Sequence, residues 1–591
     1  MGNIQCDIEA GGNGMIYVQI LVRTALLMLS VFGYILFLSK YVRPELTPGL
    51  TFSGMGSLLF AAGLLNVLQE TAWCIFLLGM LLLGYSLLIK KEIKAILSPG
   101  IIFFTVVAAF FFLLLHGSIF ENIDNFTHWA VASKVLYKTD FFPDLDRVIY
   151  RYPSYPVGSA CFIYYVSEIV GIQSEWLRMW AQAFLMAGMI SGLFVFAKQK
   201  CDSLLVAVAS VILLCSGVNF VDLLVDTLLP VTAISAFCFC ICYREKLSEK
   251  IKYILPYTVF LVSIKNSGIL FAAAVLLYAV LLIEKNACDR KRWLWVVCLT
   301  LAVFYFWNKH VEAVFGVAVS THSMSLENYR SVISSTSIGE KQQIIRLFLS
   351  CTISGIKTSG LLMLAGVILW IWSGNGEKAK GIRRILVITA VFYLVYQVGM
   401  LGMYLLSMPK EEALELAGYS RYQQTILIFS AGVLLAALLL SGEGRSAGRR
   451  IAIAVVVLGV FCVALQPNFH FYMKQDRQSS LELQDRVRAE KLVSEYGIPE
   501  QGKYLIVVSD DRENKAIDGP FREVRRGYVW HLLEYLLDPE EITVQYASQV
   551  TPDDTEQFGY VILFDETEAG RQFLIDVFDE SEENVVCVYE R

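Results

Sequence analysis

Long apolar stretches separated by short polar loops make up most of the chain, as far as residue 466. Such stretches are typical of helices that cross the ~30 Å hydrocarbon core of a bilayer. About 13–14 membrane-spanning helices are predicted on that length criterion, at 15–38, 50–67, 71–89, 100–118, 178–197, 203–219, 226–243, 251–265, 267–284, 293–307, 346–373, 383–406, 424–441 and 450–466. The apolar segment 156–170 is shorter and begins at Pro156. It is interpreted as a re-entrant or interfacial helix, with a full span as the alternative.

The pattern changes after Gln466-Pro467, where charged residues become frequent. Alternating apolar positions predict strands in this region, and amphipathic spacing predicts two helices. The strands are expected at 503–509, 542–547, 559–564 and 585–589, and the helices at 529–537 and 569–578. Because strands alternate with helices, an open and largely parallel sheet is expected. The predicted fold is an all-α polytopic transmembrane bundle (1–470) followed by a small α/β domain (475–591).

Lysine and arginine are unevenly distributed among the loops. Seven short loops are rich in both residues, and the positive-inside rule places such loops in the cytoplasm. They are 39–49, 89–95, 198–202, 243–252, 285–292, 375–384 and 443–450. The sequence therefore predicts a multi-pass protein of the cell membrane. The loop 119–155 and the C-terminal domain would lie on the extracytoplasmic side.

Composition supports this class and excludes others. The chain is 56% hydrophobic and 17% charged, values that exclude an ordinary soluble enzyme. Nucleic acid is not expected as a partner, because the net charge is −5 and no sustained basic stripe is present. The six histidines form no zinc-binding pattern. No metal is assigned, although a carboxylate-held Mg²⁺ or Mn²⁺ is left open.

The candidate chemistry begins where the apolar run 101–115 ends. The next polar segment, Glu121–Trp129, reads ENIDNFTHW, and ionisable groups at a membrane face indicate a functional site. On a surface helix, Asp124 and His128 would share one face at i, i+4, as a general base and an orienting or binding group. The alternative is a helix cap followed by an interfacial histidine and tryptophan.

Aromatic residues accompany this segment. Trp129, Tyr152 and Tyr155 are interpreted as interfacial anchors or as surfaces on which a sugar stacks. Together with Glu121, they are the candidate substrate-binding residues.

Basic residues near the outer ends of spans are the candidates for binding phosphate. Lys265 lies at a break between two apolar stretches, and a lysine there suits a phosphate. It would otherwise pair with Asp222 or Asp226. Arg421 could hold phosphate through two hydrogen bonds, or it could simply extend to the interface. Arg151 is the third candidate.

These features resemble the polytopic glycosyltransferases of the C-type superfamily (GT-C) that use polyprenyl-phosphate sugars. The similar residues are Ile123–Trp129 (IDNFTHW) and Tyr155–Gly158 (YPVG), close to a bacterial subgroup with the loop W-D-E-F-S-H-W followed by Y-P-P-G. The resemblance covers about thirty residues by motif and 15–466 by architecture. It departs at Asn125, where relatives carry a glutamate.

The resemblance implies an inverting transfer of a sugar from a polyprenyl-phosphate donor to a glycan, lipid or protein acceptor. It makes Asp124 the general base, since Asn125 cannot serve as a second carboxylate. Arg421, Lys265 and Arg151 would converge on one cavity and neutralise the departing phosphate. We therefore expect ~10–15 Å between Asp124 and the Arg421 guanidinium, with the sugar phosphate between them.

Three other functions are compatible with the sequence. A flippase or transporter would share the apolar bulk, but it should show internal repeats of broken helices, and the sequence shows none. A polysaccharide polymerase would more naturally carry its key residues in later, arginine-rich outer loops. A scaffold that uses the C-terminal domain as a binding module is the third alternative.

Overall fold

In the computed structural model of the protein, most of the described residues before residue 466 are helical. The structure describes residues 14–88, 92–145, 150–283, 287–316, 326–441, 447–469, 475, 480–495, 498, 502–508, 524–555, 557–565 and 588–590. The helices of the first part are α1 Gly14–Leu38, α2 Thr47–Leu64, α3 Leu68–Leu88, α4 Pro99–Leu115, α5 Ala130–Thr139, α6 Gly158–Val170, α7 Glu175–Ile190, α8 Lys200–Cys215, α9 Leu228–Cys242, α10 Leu247–Lys250, α11 Leu255–Ile264, α12 Gly268–Leu282, α13 Ala287–Phe315, α14 Leu326–Ser335, α15 Ile338–Ser354, α16 Ile356–Trp372, α17 Glu377–Leu406, α18 Lys410–Leu414, α19 Tyr419–Ser441 and α20 Ala447–Leu465.

Many of these helices have the composition of membrane spans. Among the described residues, six helices are long and apolar enough to cross a membrane, or seven if the bent pair α15–α16 counts as one span. Outward-facing rows of large apolar side chains lie on α13 and α17, as a lipid environment requires. The structure therefore agrees with a helical membrane protein.

Several predicted spans are shorter than a bilayer core. The predicted spans at 251–265 and 267–284 are the helices α11 and α12, of 10 and 15 residues, separated by a break at Lys265. At 1.5 Å per residue, 15 residues extend only about 22 Å. The segment 156–170 is the 13-residue helix α6. It is almost entirely buried and, like α11 and α12, too short to cross the core unaided.

The centre of the bundle is a cluster of aromatic rings on α2, α4 and α7. Phe104 stacks on Phe184 with ring centroids 5.3 Å apart, and Phe184 stacks on Trp180 at 5.0 Å. The Trp180 indole N–H donates to the carbonyl of Ala108 at 2.9 Å. This packing gives rigid support to α7, whose first residue, Glu175, lies at the end of the bundle that carries the loop 119–155.

The C-terminal region forms the predicted α/β unit. Its elements are α21 Leu481–Glu495, β1 Lys503–Val508, α22 Val524–Leu537, β2 Glu541–Tyr546, α23 Pro552–Thr555, β3 Tyr560–Leu563 and β4 Val588–Glu590. The strand order is β2-β1-β3-β4, in which β1 is parallel to β2 and β3 while β4 is antiparallel to β3. The prediction of a largely parallel sheet is confirmed. The predicted helix at 569–578 lies outside the described residues.

This C-terminal region packs against the loop that follows α4. Lys138 of α5 forms an ion pair of 3.3 Å with Asp538, just after α22. Tyr528 donates a hydrogen bond of 2.9 Å to the carbonyl of Glu121. The loop and the C-terminal region therefore lie at the same end of the bundle.

We predict that this shared end is extracytoplasmic, as the lysine and arginine distribution of the loops indicates. Lys138→Cys and Asp553→Cys should both react with a membrane-impermeant thiol reagent added to intact cells, above the background of the parent chain. Lys252→Cys, in a loop predicted to be cytoplasmic, should react only after the cells are permeabilised. Labelling of Lys252→Cys alone in intact cells would reverse the orientation.

Candidate functional site

The candidate site is built around a π-helical turn in the loop after α4. Residues Asn125–Trp129 form this turn, and α5 continues directly from it. The wide i→i+5 turn is rare and occurs often at functional sites. Asn122 receives the N–H of Asp124 on its side-chain oxygen at 2.9 Å. Asp124 itself makes no capping bond with its side chain, so its carboxylate is directed to another partner.

That partner is Arg421, at the beginning of α19. The Arg421 guanidinium lies 2.7 Å from Asp124 Oδ2, although the two residues are 297 positions apart. Gly418, at φ +73°, ends the preceding turn before α19 begins at Tyr419. The predicted convergence of Asp124 and Arg421 is therefore present in the structure. The predicted gap of ~10–15 Å is wrong, because the two charges attract each other directly when nothing lies between them.

Lys265 forms a second ion pair beside the first. Its ammonium lies 3.0 Å from Asp226 Oδ1 and 4.8 Å from the centre of the Tyr422 ring. Asp226 is fixed in turn, because its carbonyl accepts the hydroxyl of Thr425 at 3.0 Å. The pairing of Lys265 with an aspartate, one of the two sequence alternatives, is what the structure shows.

A cavity of about 350 Å³ is lined by Arg421 and Asp226, whereas Asp124 and Lys265, which were expected to face it, are not among its lining residues. One wall is a single face of α19, on which the polar residues recur at i, i+3 and i+4. The opposite walls come from the turn after α8 and the end of α20. Its lining residues are Ser216, Gly217, Val218, Asp226, Ser420, Arg421, Gln424, Thr425, Ile428, Leu465 and Gln466. Ser420, Gln424 and Thr425 were not predicted as site residues from the sequence. Their helical spacing around Arg421 would have placed them on the same face.

Asn125 has a structural role. Its side-chain N–H₂ donates to Asp222 Oδ1 at 2.9 Å, and its side-chain oxygen accepts the N–H of Leu223 at 3.0 Å. An amide both donates and accepts, whereas a carboxylate only accepts. A glutamate or aspartate here would also face Asp222, which is buried. Asn125 therefore ties the loop to the turn before α9, which a carboxylate at this position could not do in the same way.

The aromatic candidates form a stacked row beside Asp124. Tyr155 lies between Trp129 and Tyr152, with ring centroids 6.0 and 5.8 Å away. Burial raises the pKa of Tyr152 to about 12, with further contributions from the carboxylates of Glu412 and Asp124. Tyr152 and Tyr155 are partly exposed, whereas Trp129 is buried. Only the two tyrosines therefore offer a surface to a ligand.

His128 does not lie on a surface helix as expected. It is 2% exposed, and its ring packs 4.5 Å from Trp129 and 5.2 Å from Tyr150 and Tyr155. The rings of Tyr150 and Tyr155, from a later part of the loop, pack over the imidazole and remove it from the surface. His128 is positioned to hold the aromatic row in place, and a direct contact with substrate would require these rings to move.

Two other predicted site residues bind the C-terminal region instead. Arg151 forms hydrogen bonds of 2.8 and 3.0 Å with Glu534, and its guanidinium lies 5.7 Å from the centre of the Trp530 ring. Glu121 accepts the hydroxyl of Ser480 at 2.6 Å. The prediction that Arg151 joins Arg421 at the cavity is wrong, because Glu534 already satisfies its charge.

The described residues contain no group of three or more histidine, cysteine, aspartate or glutamate side chains that could hold a metal ion. The chain matches no family model, no curated protein and no solved structure. The function is therefore inferred from the arrangement of side chains at this site.

The buried Asp222 provides a pH-dependent test of this arrangement. Burial raises its pKa to about 7, against which the bond from Asn125 acts. Because folding raises this pKa, the folded state holds the proton more tightly than the unfolded chain does. The free energy of unfolding is therefore highest below the unfolded pKa and falls as pH rises towards 7. We expect Asp222→Asn to flatten the fall in thermal stability between pH 5 and 8. The difference should reach a few kcal/mol, at about 1.4 kcal/mol per pKa unit.

The check is the unfolding temperature of the purified native and Asp222→Asn proteins at a series of pH values in one detergent. Parallel curves for the native and Asp222→Asn proteins would show that Asp222 does not titrate in this range.

Proposed function

We propose that the protein is an integral membrane glycosyltransferase with a GT-C-like helical bundle, for which the sequence predicts about 13–14 spans. It would transfer a sugar from a polyprenyl-phosphate donor to an acceptor hydroxyl on the extracytoplasmic face. The observation that carries the proposal is the ion pair between Asp124 and Arg421, of which Arg421 lines a cavity. One residue can accept a proton and the other can bind phosphate.

The strengths of the two ion pairs assign different roles to Arg421 and Lys265. Asp124 and Arg421 are 35% and 36% exposed, and such partly solvated pairs typically contribute about 1 kcal/mol or less. Lys265 and Asp226 are 12% and 6% exposed, and breaking a buried pair typically costs about 3–5 kcal/mol. Arg421 is therefore the residue that can exchange its partner for a phosphate. Lys265 stays with Asp226 and supports the site through its position.

This difference gives a mechanism in which the donor activates the base. The phosphate of the donor replaces the Asp124 carboxylate on Arg421, since a guanidinium binds phosphate through two parallel hydrogen bonds. Asp124 is then released towards the acceptor. It takes the proton of the attacking hydroxyl as the oxygen bonds to the anomeric carbon, and the lipid phosphate leaves with the electrons of the broken C–O bond. A single displacement of this kind inverts the anomeric centre.

The remaining features of the site suit this reaction. The volume of about 350 Å³ is at the lower end of the range for small-ligand sites, about 300–1,000 Å³. The partly exposed faces of Tyr152 and Tyr155 can stack on a sugar ring. Ser420 and Gln424 add hydrogen-bonding groups to the cavity wall beside Arg421.

We expect Asp124→Asn to reduce turnover by about 10²–10⁴-fold, the usual effect of removing a general base. The measurement is transfer of radiolabelled sugar from a polyprenyl-phosphate donor by the purified protein in lipid nanodiscs. Glu411→Gln, an exposed carboxylate on α18 at the same end, is the matched control and should keep native turnover. Native turnover in Asp124→Asn would contradict the assignment of the base.

Arg421→Lys should raise the KM for the donor about 10-fold or more, because lysine keeps the charge but loses the planar two-point match to phosphate. Lys357→Arg, an exposed lysine on α16, is the control for altered basic residues on the bundle. Binding of the polyprenyl phosphate alone, measured without acceptor, should weaken by the same factor. An unchanged KM would remove Arg421 from the donor site. Uptake of the lipid across the bilayer without sugar transfer would instead favour a transporter.

A further inference from the structure

The C-terminal region makes its densest described contacts with the loop that carries Asp124. Phe126, inside the π-helical turn, packs between two tyrosines of α22, with ring centroids 5.7 Å from Tyr528 and 5.3 Å from Tyr535. The hydroxyl of Tyr528 donates to the carbonyl of Glu121 at 2.9 Å and lies 3.1 Å from that of Glu482. These contacts hold the turn from the side facing the C-terminal region.

A buried ion pair joins the same parts at a second point. Arg486 of α21 is fully buried and donates to Glu175 Oε1 at 2.9 Å. The other oxygen of Glu175 accepts the backbone N–H of Phe120 at 2.6 Å. One carboxylate, at the first turn of the firmly packed helix α7, thus holds both the C-terminal region and the start of the loop.

A third set of bonds fixes the beginning of α5, directly after the turn. Arg178 of α7 donates to the carbonyl of Ala130 at 3.2 Å and to the hydroxyl of Tyr535 at 2.8 Å. The Lys134 ammonium donates to the carbonyl of Tyr535. The segment from Phe120 to Lys134, which includes Asp124, is therefore held at both ends by bonds shared with α21 and α22.

We propose that the C-terminal region is a positioning element of the site, and that the Arg486–Glu175 pair is the contact on which this role depends. Without Arg486, the buried Glu175 carboxylate has lost its counter-charge and must regain water. Movement of Glu175 towards water removes the acceptor of the Phe120 N–H. The loop then loosens, and Asp124 no longer meets Arg421 in one fixed geometry. The effect on catalysis rests on the proposed function, whereas the placement of the loop does not.

The alternative view of this region is a binding module attached to the bundle. A module of that kind would need a free surface on its docking face and few buried charges there. The described contacts are different, because both charges of the Arg486–Glu175 pair are buried where the two parts meet. The arrangement therefore favours a fixed part of the site over a mobile module.

The test is hydrogen exchange of the full chain in nanodiscs, comparing Arg486→Met with Arg488→Met. Arg488 lies two residues away on α21 and pairs with Asp565 of the C-terminal region itself, so it is the matched control. We expect the amides of 120–130 to exchange about 10-fold faster in Arg486→Met only, because protection follows the local opening free energy. The strand β1 should stay protected in both variants. Unchanged protection of 120–130 in Arg486→Met would overturn the proposal.

A second variant covers the case in which Arg486→Met also exposes β1. Tyr528→Phe keeps the ring against Phe126 and removes only the hydroxyl that bonds Glu121. It should raise exchange at 120–130 without affecting β1. Unchanged exchange in Tyr528→Phe would then overturn the proposal.

Sugar transfer by the same variants separates positioning from general damage. Arg486→Met should lower kcat about 10-fold while the KM for the donor stays within 2-fold, because the phosphate site on α19 is not disturbed. A rise in KM with unchanged kcat would contradict a positioning role. Absence of transfer by the native protein would contradict the proposed function, while faster loop exchange would still support the placement.

Discussion

The attraction between Asp124 and Arg421 is the interaction on which the rest of the site depends. It joins a loop near the beginning of the chain to the first turn of α19, and its length is 2.7 Å. Each of these partly buried charges is stabilised by a partner of opposite sign. The neighbouring Lys265–Asp226 pair obeys the same requirement under deeper burial. In the proposed mechanism the partly exposed Asp124–Arg421 pair opens to bind a phosphate. The buried Lys265–Asp226 pair stays closed and holds the surrounding segments in place.

The surrounding structure limits how far Asp124 can move. Asn125 ties the π-helical turn to the segment before α9, and the tyrosines of α22 enclose Phe126 on the other side. The carboxylate is thus placed by parts of the chain that are far apart in sequence. A site built in this way combines a stiff frame with one partly exposed ion pair, which is what the proposed mechanism requires.

The sequence predicted the helical bundle and the parallel strands β1, β2 and β3, because hydrophobic periodicity is a local signal. It also predicted that Asp124 and Arg421 belong to one site, but as groups on either side of a ligand. It did not predict the direct 2.7 Å contact or the capture of Arg151 by Glu534. These depend on which distant surface each charge meets first. The burial of His128 was also missed, because it depends on the rings of Tyr150 and Tyr155, which fold back over the turn. From the resemblance, Asn125 stands where a carboxylate is expected. In the structure its amide bonds both Asp222 and the N–H of Leu223.

The most direct test is a cryo-electron microscopy structure of the protein with a polyprenyl-phosphate sugar bound. We expect a phosphate oxygen within hydrogen-bonding distance of the Arg421 guanidinium. We also expect Asp124 to have separated from Arg421 and turned towards the sugar, while Lys265 remains on Asp226. A phosphate bound elsewhere, with the Asp124–Arg421 contact still at 2.7 Å, would contradict the proposal that phosphate replaces Asp124 on Arg421.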